Sequence, residues 1–298
     1  MSESSPENFN VALLGHGTVG SAVETLVADR ADRVAEITGL RPVISGVLTR
    51  SRGDVAEIIA GADLVVEVMG GLEPARTYVL DAIAAGCHVV TANKQLLSVH
   101  GEEIWAAARE AGVQVRFEAA VAGVVPVIRV LQESLAGAHV DRLHGIVNGT
   151  TNFILTRMSE EGTSYAEALS EAQQLGYAER DPTADVEGFD AGAKAAIMAT
   201  IAFGSRVVAG DVYHEGISGI TAHDIAMAKR LGYVVKLLGI AELDWPTGEI
   251  AVRVHPAMVP TSHPLANVNG SYNAVFVEGD AAGQLMFYGR GAGGDPTA

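Results

Sequence analysis

The sequence predicts an α/β protein in which a Rossmann-type, doubly wound parallel sheet is followed by an α+β second domain. Three observations support this prediction. A glycine-rich motif, GHGTVG, joins an apolar run to a helical pattern near the N-terminus. Apolar runs and helical patterns then alternate as far as residue 137, and the alternation stops there. We therefore expect a disordered tail over residues 1–8, a nucleotide-binding domain over 9–137 and a substrate domain over 138–284.

The elements follow from runs of apolar residues and from helical periodicity. In the first half, strands are expected at 11–14, 42–54, 62–71, 87–97 and 113–123, with helices after the glycine motif and at 74–86, 101–112 and 126–137. In the second half, we expect a strand at 139–149, helices at 150–162, 164–176, 190–207 and 221–232, and antiparallel strands at 249–259, 273–279 and 284–289. Ser164 and Glu167 predict a capping box at the start of one helix.

Composition excludes several classes of protein. The 298 residues are 48% hydrophobic and 19% charged, which is typical of a globular enzyme. The net charge of −16 disfavours nucleic acid and anionic membranes as partners, because both are bound through basic surface. A single cysteine, Cys87, cannot form an intrachain disulfide, and the polar N-terminus lacks a signal peptide. We expect a cytoplasmic protein.

The glycine motif predicts a dinucleotide site, because it lies between a strand and a helix. Gly15 permits the tight turn, Gly17 lets a pyrophosphate approach the backbone, and Gly20 lets the helix pack on the strand. Thr18 and Val19 complete the motif and open the helix. The alternative is a glycine-rich turn that binds no ligand.

The second strand indicates which nicotinamide cofactor is preferred. An NAD site usually has Asp or Glu at the end of this strand, whereas here the strand ends in Thr-Arg-Ser-Arg. The guanidinium groups of Arg50 and Arg52 favour a 2′-phosphate, so we predict NADP over NAD. The alternative is that one or both arginines face solvent.

Other polar residues also fall at the carboxyl ends of strands, where ligands gather in such sheets. Thr91 and Lys94 follow the fourth strand, and Glu118 ends the fifth. Lys94 could meet a substrate oxyanion or carboxylate, or it could be a surface cap. Cys87 begins the fourth strand at the opposite edge, which favours a buried structural thiol over a nucleophile.

Two stretches of the second half carry candidate site residues. In GIVNGTTNF, a strand-to-helix turn carries Asn148, Gly149, Thr150 and Thr151, which predicts an anion site, although plain N-capping by Thr150 or Thr151 explains the pattern equally well. In GYAERDPTADVEGFDAGAK, five carboxylates precede Lys194, and Asp190 lies one helical turn before it. The alternative for this stretch is a solvated loop followed by an ordinary helix.

Six motifs occur in the order and spacing of homoserine dehydrogenase, and the sequence resembles that family from about residue 10 onward. They are GHGTVG, TANK, FEAAVAG followed by a proline, GIVNGTTNFIL, GYAERDPTADVEGFDAGAK and YGRGAGG. The two long motifs of the second half are far more specific than the glycine motif.

The resemblance implies an NAD(P)-dependent enzyme that interconverts L-homoserine and L-aspartate 4-semialdehyde in threonine and methionine biosynthesis. It implies that Lys194 is the proton donor and acceptor, that Asp190 is its partner, and that Lys94 contacts substrate and cofactor. The residues that it places in the amino-acid pocket are Gly149, Thr150, Tyr177, Glu179 and Asp185.

The resemblance also implies a homodimer and a bound monovalent cation such as Na⁺. The cation would lie near the hinge, largely on backbone carbonyls, at Glu118, Val121, Gly123 and Val125. Gly293 would approach the cofactor, so residues 285–298 are expected to return to the first domain. Two departures stand out. Ala122-Gly123-Val124 replaces the Gly-Gly-Gly run of many members, and members usually continue past GGDPTA into another helix, often followed by an amino-acid-binding regulatory domain.

Two rival interpretations are open to test. Aspartate-semialdehyde dehydrogenase needs a nucleophilic cysteine, for which Cys87 is badly placed. A nucleotide-sensing module without turnover would explain the glycine motif but not the polar cluster of the second half. The histidines lack the spacing of a metal site.

Overall fold

The computed structural model describes residues 6–292 and 297–298. These residues form two units, the first up to Ala120 together with 297–298, and the second from Val121 to Ala292. The division lies earlier than the expected boundary at residue 137. Residues 121–137 join the second unit because most of their apolar side chains are buried there and the amide of Val124 donates to the carbonyl of Arg290 at 3.3 Å.

The first unit is a parallel sheet with helices between its strands. Its strands are Glu7–Leu14 (β1), Leu40–Leu48 (β2), Leu64–Glu67 (β3), His88–Thr91 (β4) and Val115–Arg116 (β5), and its helices are Thr18–Thr38 (α1), Val55–Ala60 (α2), Ala75–Ala84 (α3) and Lys94–Ala111 (α4). The strand order is β2-β1-β3-β4-β5, and every pairing is parallel. The chain therefore reverses its direction of winding beside β1, where such sheets bind ligands.

Two elements of this unit begin earlier than the sequence indicates. Strand β1 starts at Glu7, inside the expected tail, because Glu7 pairs with Leu40 and donates its amide to Gly39 at 3.2 Å. Helix α4 starts at Lys94 instead of residue 101. Asn93 caps it by accepting a hydrogen bond from the amide of Leu96 at 3.1 Å.

The second unit is a mixed six-stranded sheet with helices. Its strands are Val140–Ile146 (β6), Tyr213–His214 (β7), Tyr233–Asp244 (β8), Glu249–Pro260 (β9), Tyr272–Gly279 (β10) and Gly283–Arg290 (β11), and its helices are Val127–Arg129 (α5), Gly149–Glu161 (α6), Tyr165–Gln174 (α7), Thr183–Val186 (α8), Phe189–Phe203 (α9) and Ala222–Arg230 (α10). The strand order is β11-β10-β6-β8-β9-β7. All pairings are antiparallel except that of β7 with β9.

Strand β8 lies inside the sheet, and the sequence analysis does not find it. Its residues 235–239 are all buried, so the strand lacks the polar alternation that marks a half-exposed strand. Gly239 faces α9, where an added Cβ would lie 3.4 Å from that of Ala195. The predicted capping box of Ser164 and Glu167 is confirmed at the start of α7.

Candidate active site

The glycine motif forms a tight turn between β1 and α1. Gly15 has φ +108°, and a Cβ there would lie 2.9 Å from the carbonyl carbon of Val68. A Cβ on Gly20 would collide with the carbonyl oxygen of Gly15, whereas a Cβ on Gly17 would meet nothing within 4 Å. Gly17 is the N-cap residue of α1, which begins at Thr18, and no side chain among the described residues caps that helix. The turn therefore leaves open space beside a helix N-terminus, which fits a pyrophosphate.

Arg50 and Arg52 lie in the turn that follows β2, where the amide of Thr49 donates to the carbonyl of Arg52 at 2.8 Å. Both arginines are exposed. The nearest following acid, Asp54, caps α2 by accepting from the amides of Ala56 and Glu57 at 2.9 and 3.2 Å. This turn therefore presents guanidinium groups, while its carboxylate is used within the protein.

A buried carboxylate that the sequence analysis missed joins the ends of β3 and β4. Glu67 is fully buried and accepts from the amides of Met69 and Gly70 at 2.8 and 3.2 Å and from the Thr91 hydroxyl at 2.6 Å. The side-chain amide of Asn93 lies 3.5 Å from it. Thr91 is therefore fixed at the strand end, and Lys94 follows as the first residue of α4. The sequence signal was an acid closing an otherwise apolar strand, LVVE.

Cys87 is buried immediately before β4, at the edge away from these strand ends. Its thiol donates to the carbonyls of Ala62 and Ile59 at 3.2 and 3.5 Å. Burial raises the pKa of the thiol, with a smaller contribution from Asp63. A thiol held in its protonated form is a poor nucleophile.

In the second unit, Asn148 is the centre of a buried polar cluster. It caps α6 by accepting from the amide of Thr151 at 2.8 Å. Its side-chain nitrogen donates to Asp185 at 2.7 Å and to Asp190 at 2.9 Å. One amide therefore holds two carboxylates from α8 and α9 together. The sequence places Asn148 in the strand-to-helix turn but carries no local signal for its contacts with these two carboxylates.

Lys194 completes this cluster. Its Nζ lies 2.7 Å from Asp190 Oδ2 and 2.7 Å from the carbonyl oxygen of Val147. The two side chains are only 13% and 9% exposed. An ammonium has three N–H donors, and the third has no acceptor among the described residues. The arrangement can therefore hold an ammonium in place while leaving one proton for a substrate oxygen.

The other residues expected in the amino-acid pocket belong to α6 and to the loop that follows α7. Thr150 donates its hydroxyl to the carbonyl of Tyr177 at 2.7 Å, so neither it nor Thr151 is the N-cap, which is Asn148. The rings of Tyr177 and Phe153 pack with centroids 4.9 Å apart. Glu179 is exposed on the same loop, and Gly149 is the first residue of α6.

Three of the four expected cation residues, Val121, Gly123 and Val125, fall on a tight turn at the start of the second unit. Ala122 and Gly123 both have left-handed backbones, with φ of 57° and 55°. Alanine therefore adopts the conformation that favours glycine, at a cost of roughly 1–2 kcal/mol. Val121 and Val125 are buried there, and Glu118 begins a 3₁₀ turn at the end of the first unit. Gly293 lies outside the described residues.

A parallel dinucleotide-binding sheet joined to a unit with a buried lysine–aspartate pair is the organisation of an NAD(P)-dependent oxidoreductase. The family models agree, since residues 15–118 match the NAD binding domain of homoserine dehydrogenase and residues 126–298 match the homoserine dehydrogenase family. The chain belongs to the homoserine dehydrogenase family.

Individual relatives support this assignment. The homoserine dehydrogenases of Mycobacterium tuberculosis and Corynebacterium glutamicum are 52% and 51% identical to the chain, and both matches cover 97% of this chain and 69% of the relative. The crystal structure of a homoserine dehydrogenase from Thiobacillus denitrificans superposes with a TM-score of 0.91, at 43% identity, over 98% of this chain and 70% of that one. A hyperthermophilic archaeal homoserine dehydrogenase in complex with NADPH gives 0.83 at 26% identity, over 97% and 94%.

Two features are absent from the residues that the structure describes. None of the helices within 6–292 combines the length and the apolar character needed to cross a membrane. Over the same residues, no three His, Cys, Asp or Glu side chains are grouped so that they could hold a metal ion.

Proposed function

We propose that the chain interconverts L-homoserine and L-aspartate 4-semialdehyde with NADP, and that Lys194 is the proton donor and acceptor. The observation that carries this proposal is the Lys194 ammonium, which Asp190 and the Val147 carbonyl hold with one N–H that no described residue uses.

In the reducing direction, Lys194 gives a proton to the aldehyde oxygen as a hydride reaches the carbonyl carbon, so a C–H and an O–H bond replace the C=O π bond. A bound nicotinamide supplies that hydride and accepts it in the reverse direction. In oxidation, the neutral amine of Lys194 takes the hydroxyl proton. Proton transfer of this kind contributes about 10²–10⁴-fold to the rate.

The other residues of the cluster suit the amino-acid end of the substrate. Asp185 and Glu179 would attract the α-ammonium, while Gly149 and Thr150, at the positive end of α6, would bind the α-carboxylate. Tyr177 would close the pocket beside Thr150.

Replacing Lys194 tests the proposed role. Lys194→Ala should lower kcat about 10²–10⁴-fold, because no other group would deliver the proton. Binding of NADPH, followed by its fluorescence, should change little. Lys229→Met removes an exposed lysine of α10 and should leave kcat unchanged. Near-normal turnover by Lys194→Ala would refute the assignment and make Lys94 the leading candidate.

Three finer features complete the proposal. Arg50 and Arg52 would bind the 2′-phosphate of NADP, with Thr91 and Lys94 at the nicotinamide end. A monovalent cation would bind at Glu118, Val121, Gly123 and Val125, a set carried by the family resemblance and supported by the left-handed turn at Ala122. The chain would associate as a homodimer through the sheet of its second unit.

A further inference from the structure

The second unit contains another buried lysine, outside the cluster of Lys194. Lys236, on β8, is 2% exposed. Its Nζ donates to the carbonyl of Val268 at 2.6 Å, to Asn152 Oδ1 at 3.1 Å and to Asn269 Oδ1 at 3.2 Å. All three N–H donors are therefore used, and the acceptors are neutral. Among the described residues, no carboxylate lies within ion-pair distance of it.

Such a lysine is costly to bury. Desolvation lowers the pKa of Lys236 to about 8, although Glu160 opposes the shift. Because the unfolded chain retains its proton to higher pH, the charged lysine destabilises the fold below pH 8, and this penalty fades as the pH rises towards 10.5. An apolar side chain of similar length would avoid the desolvation cost. Stability alone is therefore a poor explanation for Lys236.

The hydrogen bonds of Lys236 lead to the first turn of α6. Asn152, which accepts from Lys236, donates its own amide to the carbonyls of Val268 and Tyr272 at 3.0 and 3.1 Å. Asn152 is buried and follows Thr151 directly. The lysine and this asparagine therefore tie residues 268–272, which we call the 268–272 segment, to α6.

The same segment lies directly against the proposed substrate pocket. A Cβ on Gly149 would lie 2.7 Å from the carbonyl oxygen of Ser271, so the segment fixes how closely the start of α6 can approach it. The cap of that helix is Asn148, which holds Asp185 and Asp190. A shift of the 268–272 segment would therefore move the carboxylates that orient the substrate.

We propose that Lys236 is a positioning residue for the amino-acid pocket, acting through Asn152 and the 268–272 segment to fix the first turn of α6. The inference rests on the proposed placement of the amino acid beside Asn148 and Asp185. It concerns substrate affinity and leaves the proton transfer to Lys194.

Lys236→Met tests this inference, because methionine retains most of the volume and removes the three hydrogen bonds. At pH 7, the KM for L-homoserine should rise about tenfold, since loss of positioning weakens binding. The KM for NADP should stay within about twofold. Lys229→Met is the matched control and should change neither. If Lys236→Met does not fold, Lys236→Gln, which keeps two donors, should show the same split with a smaller rise.

The outcomes separate this inference from the proposed function. If Lys236 had only a structural role, its replacement would lower the melting temperature and the active fraction of the enzyme and leave both KM values unchanged. That result would overturn the inference. Asp185→Asn provides the reference. If it raises the KM for L-homoserine and Lys236→Met does not, only the role of Lys236 fails. If Asp185→Asn also leaves that KM unchanged, the placement of the substrate is wrong.

Discussion

Arg50 is the residue on which the predicted preference for NADP depends most directly. A charge-assisted hydrogen bond contributes about 1.5–3 kcal/mol, so Arg50→Ala should raise the apparent KM for NADPH roughly 10–100-fold. The KM for NADH, which lacks the 2′-phosphate, should change less than about twofold. Arg41→Ala is the control, because Arg41 lies near the other end of β2, where it pairs with Asp32. Equal effects on the two cofactors would contradict the prediction.

Glu67 is the subject of a second prediction, which concerns stability and the KM for NADPH. Its carboxylate accepts from two backbone amides and the Thr91 hydroxyl. Glu67→Gln would replace the oxygen that accepts from Thr91 by an NH₂ group, which cannot accept a hydrogen bond, so the free energy of unfolding in urea should fall by about 1–3 kcal/mol. Because Thr91 would lose its partner, the KM for NADPH should rise as well. Glu110→Gln, on the exposed face of α4, should change neither quantity. A normal KM for NADPH would show that Glu67 only stabilises the sheet.

Single residues were predictable where their role follows from neighbours in the chain. The spacing of Gly15, Gly17 and Gly20 follows from a local backbone requirement. Asp190 and Lys194 pair within one helical turn. Glu67, Asn148 and Lys236 could not be assigned in this way. Their partners lie 24, 42 and 84 positions away, and no sequence period connects such pairs.

Helix α9 carries both Asp190 and Lys194, and Gly192 between them allows its contact with β7. A Cβ on Gly192 would collide with Nε2 of His214, whose ring packs 5.0 Å from that of Phe189. Burial lowers the pKa of His214, which favours a neutral ring at this contact. The glycine is therefore required by a neighbouring element, although it weakens the helix itself.

Gly192→Ala should therefore destabilise the protein, despite the better helix propensity of alanine. Overpacking costs about 1–3 kcal/mol, and the displaced helix should lower kcat by moving Lys194. The double variant Gly192→Ala, His214→Ala makes room for the methyl group and should recover much of both losses. Urea unfolding and turnover, measured for the two single variants and the double variant, give the coupling free energy between positions 192 and 214. Additive effects would show that the contact is not the cause.

Helices and strands were predictable where the sequence pattern that determines them is local. The capping box of α7 depends on four consecutive residues, and its prediction is confirmed. Strand β8 is buried on both faces over residues 235–239, so its apolar residues, interrupted by Lys236, carry no strand period. The start of α4 was missed because the polar residues after β4 indicate a turn, and Asn93, which caps the helix, is one of them. Helix α8 was not predicted, because it is short and lies in a charge-rich stretch that indicates a loop.

At the scale of the whole molecule, the sheet of the second unit is the surface that we expect to form a homodimer. Tyr288 lies on the edge strand β11, is 54% exposed and stacks on Tyr272 with centroids 5.0 Å apart. Met286 lies on the same face of that strand and packs against the buried cluster beneath it. An exposed aromatic side chain next to a half-buried methionine, beside a core, is typical of an association surface.

Light scattering after size exclusion should therefore give a mass of twice 30.9 kDa for the chain. Tyr288→Glu would place a charge in the interface, and loss of a central aromatic contact costs about 2 kcal/mol or more. Dilution should then yield the monomer at concentrations where the original chain is still a dimer. Leu231→Glu is the control, because Leu231 is 64% exposed at the end of α10, which leads into β8, three strands from β11. A monomeric original chain, or equal dissociation by both variants, would show that this face does not mediate association.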